Sequence, residues 1–107
     1  MATEQGTIDL LLQQLSGLGD VRTRKMFGEY ALYIGIKLPA LVCDNQLFVK
    51  HTASGSALLD ESHLAPPYPG AKPYLCVPEE LWHDRAWLCE LLQITADELP
   101  EPKPKKK

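Results

Sequence analysis

The sequence predicts an α+β domain of two layers, in which helices pack on a mostly antiparallel sheet of about four or five strands. Apolar residues recur at helical spacing near both ends of the chain. Between them, short apolar and aromatic runs are separated by turn-forming residues, as in strands joined by hairpins. The predicted order is therefore a helix, three strands, a helix, one or two strands and a last helix.

The length and composition of the chain are those of one globular domain. Of its 107 residues, 45% are hydrophobic and 23% are charged. We expect the domain to occupy residues 1–99, and the Pro/Lys-rich residues 100–107 to be a disordered tail. No apolar run approaches the about 18 residues of a membrane span, and the N-terminus is polar and acidic, unlike a secretory signal. We therefore expect a cytoplasmic protein that does not contact membranes.

The first predicted helix covers residues 7 to about 18. Its apolar residues fall on one stripe, which is the pattern of a helix that buries one face: Ile8, Leu11, Leu12, Leu15 and Leu18. The hydroxyl of Thr7 is expected to cap the first turn, and Gly17 and Gly19 provide the signal for termination.

A meander of three strands is expected next, over residues 30–34, 38–43 and 46–51. Asp44 and Asn45, between the last two strands, tolerate the positive φ values of a type I′ turn. The sequence therefore predicts a tight hairpin at this point.

If the first of these strands starts earlier, at Met26, Gly28 lies just inside it. A glycine there forms a bulge or allows another backbone to approach closely, so Met26 and Phe27 are expected in a strand that bends before Tyr30. We interpret Gly28 as part of the fold. The alternative is that it admits a ligand or a partner to the sheet.

In the second half of the chain, residues 54 to about 64 predict a short helix capped by Ser54 or Ser56, with Ala57, Leu58 and Leu64 facing inward. A proline-rich loop follows at residues 65–73. Its Pro66 and Pro69 match the P-x-x-P spacing of polyproline recognition motifs. We interpret the loop as a rigid connector, and the alternative is a partner contact at Tyr68.

One more strand is predicted at residues 74–77, where it is ended by Pro78. After a short turn at Leu81 and Trp82, Asp84 is expected to cap a helix that ends at about Thr95. The apolar residues of this helix are expected to close the core: Trp87, Leu88, Leu91 and Leu92. Acidic neighbours surround both tryptophans, so we expect packing residues and not a base-stacking platform.

The sequence offers no signature of catalysis or of metal binding. Cys43, Cys76 and Cys89 form an odd set without a C-x-x-C pair, so free thiols are expected instead of disulfides or a zinc site. The histidines have no i, i+4 pair, and no nucleophile stands in a motif with a base. We therefore expect a protein that is not an enzyme and binds no metal or cofactor. The alternative is a Cys–His pair assembled by the fold.

The charge is distributed unevenly along the chain. Residues 100–107 carry a formal +3, which leaves −6 on residues 1–99 of a chain whose net charge is −3. An acidic body is a poor surface for duplex DNA unless its cations gather on one side. The candidate contacts to a partner or to phosphates are Arg22, Arg24 and Lys25 in the body, and Lys103, Lys105, Lys106 and Lys107 in the tail.

Residues 24–28, Arg-Lys-Met-Phe-Gly, resemble the opening motif of the N-terminal domain of the TfoX/Sxy family of competence regulators. Residues 30–33 and 47–50 are similar to strands of that domain, and Tyr74 and residues 77–80 to its later strand and turn. The resemblance extends from residue 10 to about residue 92, and it implies a structural role for Met26, Phe27 and Gly28. The family pattern commonly has a second glycine where Glu29 stands, and an acidic residue near Cys76.

This resemblance implies a non-enzymatic regulatory or adaptor domain, similar to those that act in bacterial competence-gene control alongside a transcription activator of the cyclic-AMP receptor type. Such a domain works through contacts with a protein partner. The alternative is an accessory nucleic-acid-binding domain that uses the lysine tail and the cluster at residues 22–25. A homodimer formed through an exposed edge strand is a further alternative.

Overall fold

The structure is a computed structural model that describes residues 3–26, 29–59, 63–67 and 69–99. In this part of the chain, three helices pack against one sheet of six antiparallel strands, which confirms the predicted α+β class. The helices are α1 (Gln5–Gln14), α2 (Ala53–Leu58) and α3 (Arg85–Glu98), and 3₁₀ turns occupy Ser16–Leu18 and Glu79–His83. The strands are β1 (Val21–Met26), β2 (Glu29–Ile34), β3 (Lys37–Cys43), β4 (Gln46–Val49), β5 (Leu64–Ala65) and β6 (Tyr74–Val77).

The strands lie in the order β1-β2-β3-β4-β6-β5. Successive side chains of a strand point to opposite faces of the sheet, and one face supplies the core. Its strand residues are Tyr30, Leu32, Ala40, Val42, Leu47, Val49, Leu75 and Val77. Buried residues of α1 and α3, such as Leu11 and Leu91, belong to the same apolar cluster. The helices therefore cover this face, which we call the core face.

The opposite face, which we call the outer face, has a row of residues paired in register across five strands. The row consists of Arg24, Ala31, Leu41, Phe48 and Cys76. Ala31 and Phe48 are buried, whereas Arg24 at the end of the row is exposed. The outer face thus changes from apolar at its centre to cationic at β1.

Strand β1 was not among the predicted strands. It pairs with β2 from Val21 opposite Ile34 to Met26 opposite Glu29, so the sheet begins one hairpin earlier than expected. The bend expected at Phe27 and Gly28 lies outside the described residues. The described irregularity of the β2–β3 pairing falls between Leu32 and Ile34 instead.

Helix α1 begins two residues before the predicted start and ends at Gln14. The cap expected from Thr7 is wrong, because the N-cap residue is Glu4 and its side chain makes no capping hydrogen bond. Thr7 instead donates its hydroxyl to Oδ1 of Asn45, 2.9 Å away. The same oxygen accepts the backbone N–H of Glu4 at 2.8 Å. The side chain of Asn45, in the β3–β4 turn, therefore caps the N-terminus of α1.

The β3–β4 turn itself is the one predicted. Asp44 has a φ of 53° and Asn45 a φ of 61°, as a type I′ turn requires at both central positions. Asn is among the few residues that enter this left-handed region at low cost.

Helix α2 is shorter than predicted and has a different cap. It covers Ala53–Leu58, and the hydroxyl of Thr52 accepts the backbone N–H of Gly55 at 2.9 Å. Ala57 is exposed and Leu58 is half-buried, while Leu64 belongs to β5. The predicted helix was too long because apolar residues of two different elements were counted on one stripe.

The end of the chain agrees with the predictions more closely. Strand β6 forms and lies between β4 and β5. Asp84 caps α3 by accepting the backbone N–H of Trp87 at 3.2 Å. Trp82 is buried and donates its indole N–H to the carbonyl of Val77 at 3.1 Å, so it is a packing residue. Of the proline-rich loop, Pro66 and Pro69 are exposed, and Tyr68 lies outside the described residues.

Replacement of Asn45 tests the shared cap. Asn45→Ala removes the capping oxygen and strains the positive φ, and we expect a loss of about 2 kcal/mol in the free energy of unfolding. Asn45→Gly removes only the cap, so its expected loss is about 1 kcal/mol. Urea denaturation followed by circular dichroism measures both. Equal losses for the two variants would contradict the role assigned to the backbone conformation.

Thr95 of α3 is fully buried, and its hydroxyl has no hydrogen-bond partner among the described residues. Thr95→Val exchanges this hydroxyl for a methyl group of similar volume, so we expect stability to be unchanged or to rise by up to about 1 kcal/mol. Thr95→Ala leaves a small cavity and is expected to cost about 1 kcal/mol. Thermal unfolding of both variants shows whether the Val variant is at least as stable as wild type and the Ala variant less stable. A destabilised Val variant would show that the hydroxyl makes a stabilising hydrogen bond.

Candidate functional site

The two edges of the sheet are built differently. At one edge, β5 is only two residues long and is followed by Pro66, which has no N–H to offer another strand. At the other edge, β1 has six residues, and no strand in the described part of the chain pairs with its outer side. Strand β1 is therefore the longer and more open edge.

The basic residues predicted as candidate contacts lie in β1, but the strand divides them. Arg22 and Arg24 are opposite Tyr33 and Ala31 in the register, and they point to the outer face. Lys25 is opposite Tyr30, a core residue, and therefore projects on the core-face side, where it is exposed at the rim. The structure thus brings two of the three predicted cations together.

A shallow cleft of about 330 Å³ lies beside these arginines. Its walls are formed by Arg22, Thr23, Arg24 and Tyr33. The cleft presents two guanidinium groups and the ring of a half-buried tyrosine on one surface. This combination suits carboxylates, which guanidinium groups bind with paired hydrogen bonds.

The two arginines differ in how firmly they are held. Arg22 donates to the carbonyl of Gly35 at 2.6 Å and forms an ion pair with Asp20 at 3.4 Å. Both side chains of that ion pair are more than 60% exposed, so solvent weakens the attraction. Arg24 makes no hydrogen bond or ion pair with its side chain to any described residue. Among the described residues, Arg24 is therefore less restrained than Arg22.

An apolar side chain completes this surface. Ile36 is 62% exposed in the β2–β3 turn, next to the Gly35 carbonyl that Arg22 holds. Exposed apolar residues beside arginines are typical of protein interfaces, where apolar anchors are ringed by polar groups. We call the surface formed by β1 with Arg22, Arg24, Tyr33 and Ile36 the basic edge.

Another cation, Lys50, lies away from the basic edge. Lys50 follows β4, three strands away from β1, and is half-buried. Burial lowers the pKa of its ammonium group from the usual value. The tail lysines at 103, 105, 106 and 107 lie outside the described residues.

The thiols have the properties of packed side chains. Burial raises the pKa of Cys43 to about 11, with smaller contributions from the carboxylates of Glu29 and Asp44. Burial also raises the pKa of Cys76, and the thiol of Cys89 donates to the carbonyl of Gln14 at 3.3 Å. Cys43 and Cys76 are therefore protonated at neutral pH, which makes them slow nucleophiles.

The described residues contain no group of three or more His, Cys, Asp or Glu that could hold a metal ion.

A second depression is lined by Ala53, Ser54, Ile94, Asp97 and Glu98. The carboxylate of Glu98 accepts the backbone N–H groups of Ala53 at 3.1 Å and Ser54 at 2.9 Å. The hydrogen bond from the Ser54 backbone is the main cause of a lowered pKa for Glu98. This carboxylate joins the end of α3 to the start of α2, so its acceptor capacity is used within the fold.

Sequence reasoning identified the cations of the basic edge but missed β1, the strand that carries them. It also did not name Tyr33 or Ile36 as candidate contacts. A signal was available in residues 21–25, where β-branched Val21 and Thr23 alternate with Arg22 and Arg24. Alternation of this kind is typical of a strand with one solvent-exposed face.

In the described part of the chain, no helix is long and apolar enough to cross a membrane.

Comparison with known proteins identifies the family. The model of the TfoX N-terminal domain matches residues 13–99 of this chain. A curated relative from Spirochaeta aurantia, described as an uncharacterized 12.7 kDa protein in the trpE 5′ region, is 37% identical over 106 residues. The aligned region covers 99% of this chain and 91% of that protein.

The contact between Glu98 and α2 predicts a pH dependence. A lowered pKa in the folded state means that the contact stabilises the protein above the ordinary pKa of glutamate, and that this stabilisation is lost as pH falls through the lowered value. Glu98→Gln is therefore expected to lower the melting temperature at pH 7 and to have little effect near pH 3. Glu90→Gln, at an exposed position of the same helix, is the matched control and should change neither value. A constant difference between wild type and Glu98→Gln at both pH values would show that the charge is not responsible.

Proposed function

The chain belongs to the TfoX N-terminal domain family, and from this membership we propose that it is a non-enzymatic regulatory or adaptor domain that binds a protein partner through the basic edge. The observation that carries the proposal is the open edge strand β1, where the side chain of Arg24 pairs with no described residue and Arg22 holds the carbonyl next to the exposed Ile36. Charge and apolar area on one surface serve, respectively, to orient a partner and to hold it.

A protein partner fits the charge of the molecule better than a nucleic acid does. Residues 1–99 have a formal charge of −6, and the cations of β1 are divided between the rims of two faces. Affinity for duplex DNA comes chiefly from several phosphates neutralised together by one basic surface. Two arginines and one apolar residue are a small contact of the kind found where one protein recognises an acidic stretch of another.

The biological role that we propose is regulation of transcription of the competence type, with a transcription activator as the partner. This part of the proposal comes from the family, whose members resemble this chain over residues 13–99. The relative from Spirochaeta aurantia is described as uncharacterized, so it adds no information about activity.

A second candidate function is an accessory role in nucleic-acid binding. It is favoured by the four lysines among residues 100–107, a segment that also contains prolines at 100, 102 and 104. Such a segment contacts phosphates without reading sequence, so this function predicts binding that weakens steeply with salt.

Capture of partners from a lysate of the native host tests the proposal. The tagged protein is compared with Arg24→Glu, with Lys72→Glu as the matched control, and with a chain ending at residue 99. Lys72 is exposed in the loop before β6, so the control makes the same change of charge elsewhere. We expect a protein that is retained after nuclease treatment and without the tail, reduced about tenfold by Arg24→Glu and unaffected by Lys72→Glu.

Two results would contradict the proposed function. Equal capture by the two charge variants would show that the basic edge is not the binding surface. Material that is lost after nuclease treatment, at high salt or with the tail would instead support the nucleic-acid function.

A further inference from the structure

The backbone of β1 has a fixed pattern of used and unused hydrogen-bonding groups. The N–H of Gly35 donates to the carbonyl of Asp20 at 2.9 Å, so these two residues form a hydrogen-bonded pair at the start of the β1–β2 ladder. In antiparallel sheets, hydrogen-bonded and non-hydrogen-bonded pairs alternate. The register then makes Arg22–Tyr33 and Arg24–Ala31 the next hydrogen-bonded pairs.

The residues between these pairs direct their backbone groups outward. They are Val21, Thr23 and Lys25, and the N–H of Val21 is already taken by the carbonyl of Gly19 at 3.0 Å. The N–H and C=O groups of Thr23 and Lys25 face the open side of the sheet, where no described strand pairs with them. Together they offer two donors and two acceptors to an incoming strand.

We infer that the protein binds an extended acidic segment of its partner as a seventh strand, antiparallel to β1 and paired with Thr23 and Lys25. The inference rests on the proposed function and specifies its binding mode. In such a pairing, Arg22 and Arg24 occupy non-hydrogen-bonded positions, where opposed Cα atoms are only about 4.5 Å apart and side chains are closest. Two acidic residues at positions i and i+2 of the segment then lie opposite the two guanidinium groups.

Charge disfavours a second copy of this chain as the antiparallel occupant. Pairing of two β1 strands must match the outward groups of Val21, Thr23 and Lys25 with each other. The registers that match Thr23 with any of these three residues place Arg22 opposite Arg22 or Arg24, or place Arg24 opposite Arg24. Like charges directly opposite each other destabilise a strand pair. An acidic segment replaces this repulsion with attraction. We therefore take the occupant to be a segment of a different protein.

Two short synthetic peptides provide the probes. One alternates glutamate with valine, and the other alternates lysine with valine, so they have the same tendency to form strands and opposite charge. The peptides are added to the isotope-labelled full chain, and amide chemical shifts and amide hydrogen exchange are recorded by NMR. We expect saturable binding that is about tenfold tighter for the glutamate peptide, with slower exchange at the amides of Thr23 and Lys25.

Variants separate strand addition from attraction between charges. Thr23→Pro removes the outward N–H while the ladder to β2 is kept, because edge strands tolerate proline where the N–H faces solvent. It should abolish binding, whereas Thr23→Val, which keeps the N–H, should bind as wild type does. Arg24→Glu should weaken the glutamate peptide about tenfold. If Thr23→Pro fails to fold, slowed exchange at Thr23 and Lys25 in the wild-type protein still decides the question.

The possible results distinguish the two proposals. Binding of the glutamate peptide that leaves exchange at Thr23 and Lys25 unchanged, or that survives in a folded Thr23→Pro, overturns strand addition and keeps the basic edge as a protein contact. The absence of any preference for the glutamate peptide also overturns strand addition. If Arg24→Glu has no effect in the lysate capture either, the proposed function fails as well.

Discussion

The alternation of side chains along the strands is the constraint on which the rest of this structure depends. Because Tyr30, Leu32 and their counterparts in β3, β4 and β6 must face the helices, every other residue is directed to the outer face. The same rule places both β1 arginines on the outer face and directs the backbone groups of Thr23 to the open edge. A slip of one residue in β1 would move the arginines toward the core face. The packing of the core and the chemistry of the edge are therefore set by one register.

A polar network near the N-terminus complements this apolar constraint. The carboxylate of Glu29 accepts the hydroxyl of Thr3 and, at 3.0 Å, the backbone N–H of Asp44. The hydroxyl oxygen of Thr3 in turn accepts the backbone N–H of Asn45 at 3.3 Å. These hydrogen bonds of Glu29 and Thr3 tie the N-terminal segment to the β3–β4 turn.

The features that sequence reasoning predicted are those set by local chemistry. The turn at Asp44 and Asn45, the cap at Asp84 and the buried Trp82 each follow from a short stretch of chain, and the structure contains all three. The missed features depend on residues distant in sequence. Asn45 caps a helix about 40 positions away, and β1 was overlooked because charged residues outnumber apolar ones in an edge strand with a solvent-exposed face. The cations of the site were readable from the sequence, but their division between two faces was not.

The unequal edges of the sheet also bear on whether it can grow by adding strands. Growth of a sheet into a fibre needs two edges that each accept a strand, so that every added molecule presents a new template. Here the edge at β5 is two residues long and ends at a proline, and the edge at β1 carries cations that repel an antiparallel copy of itself. Among the described strands, β1 is therefore the edge that is open to a further strand, and the binding mode inferred above would place one partner strand there.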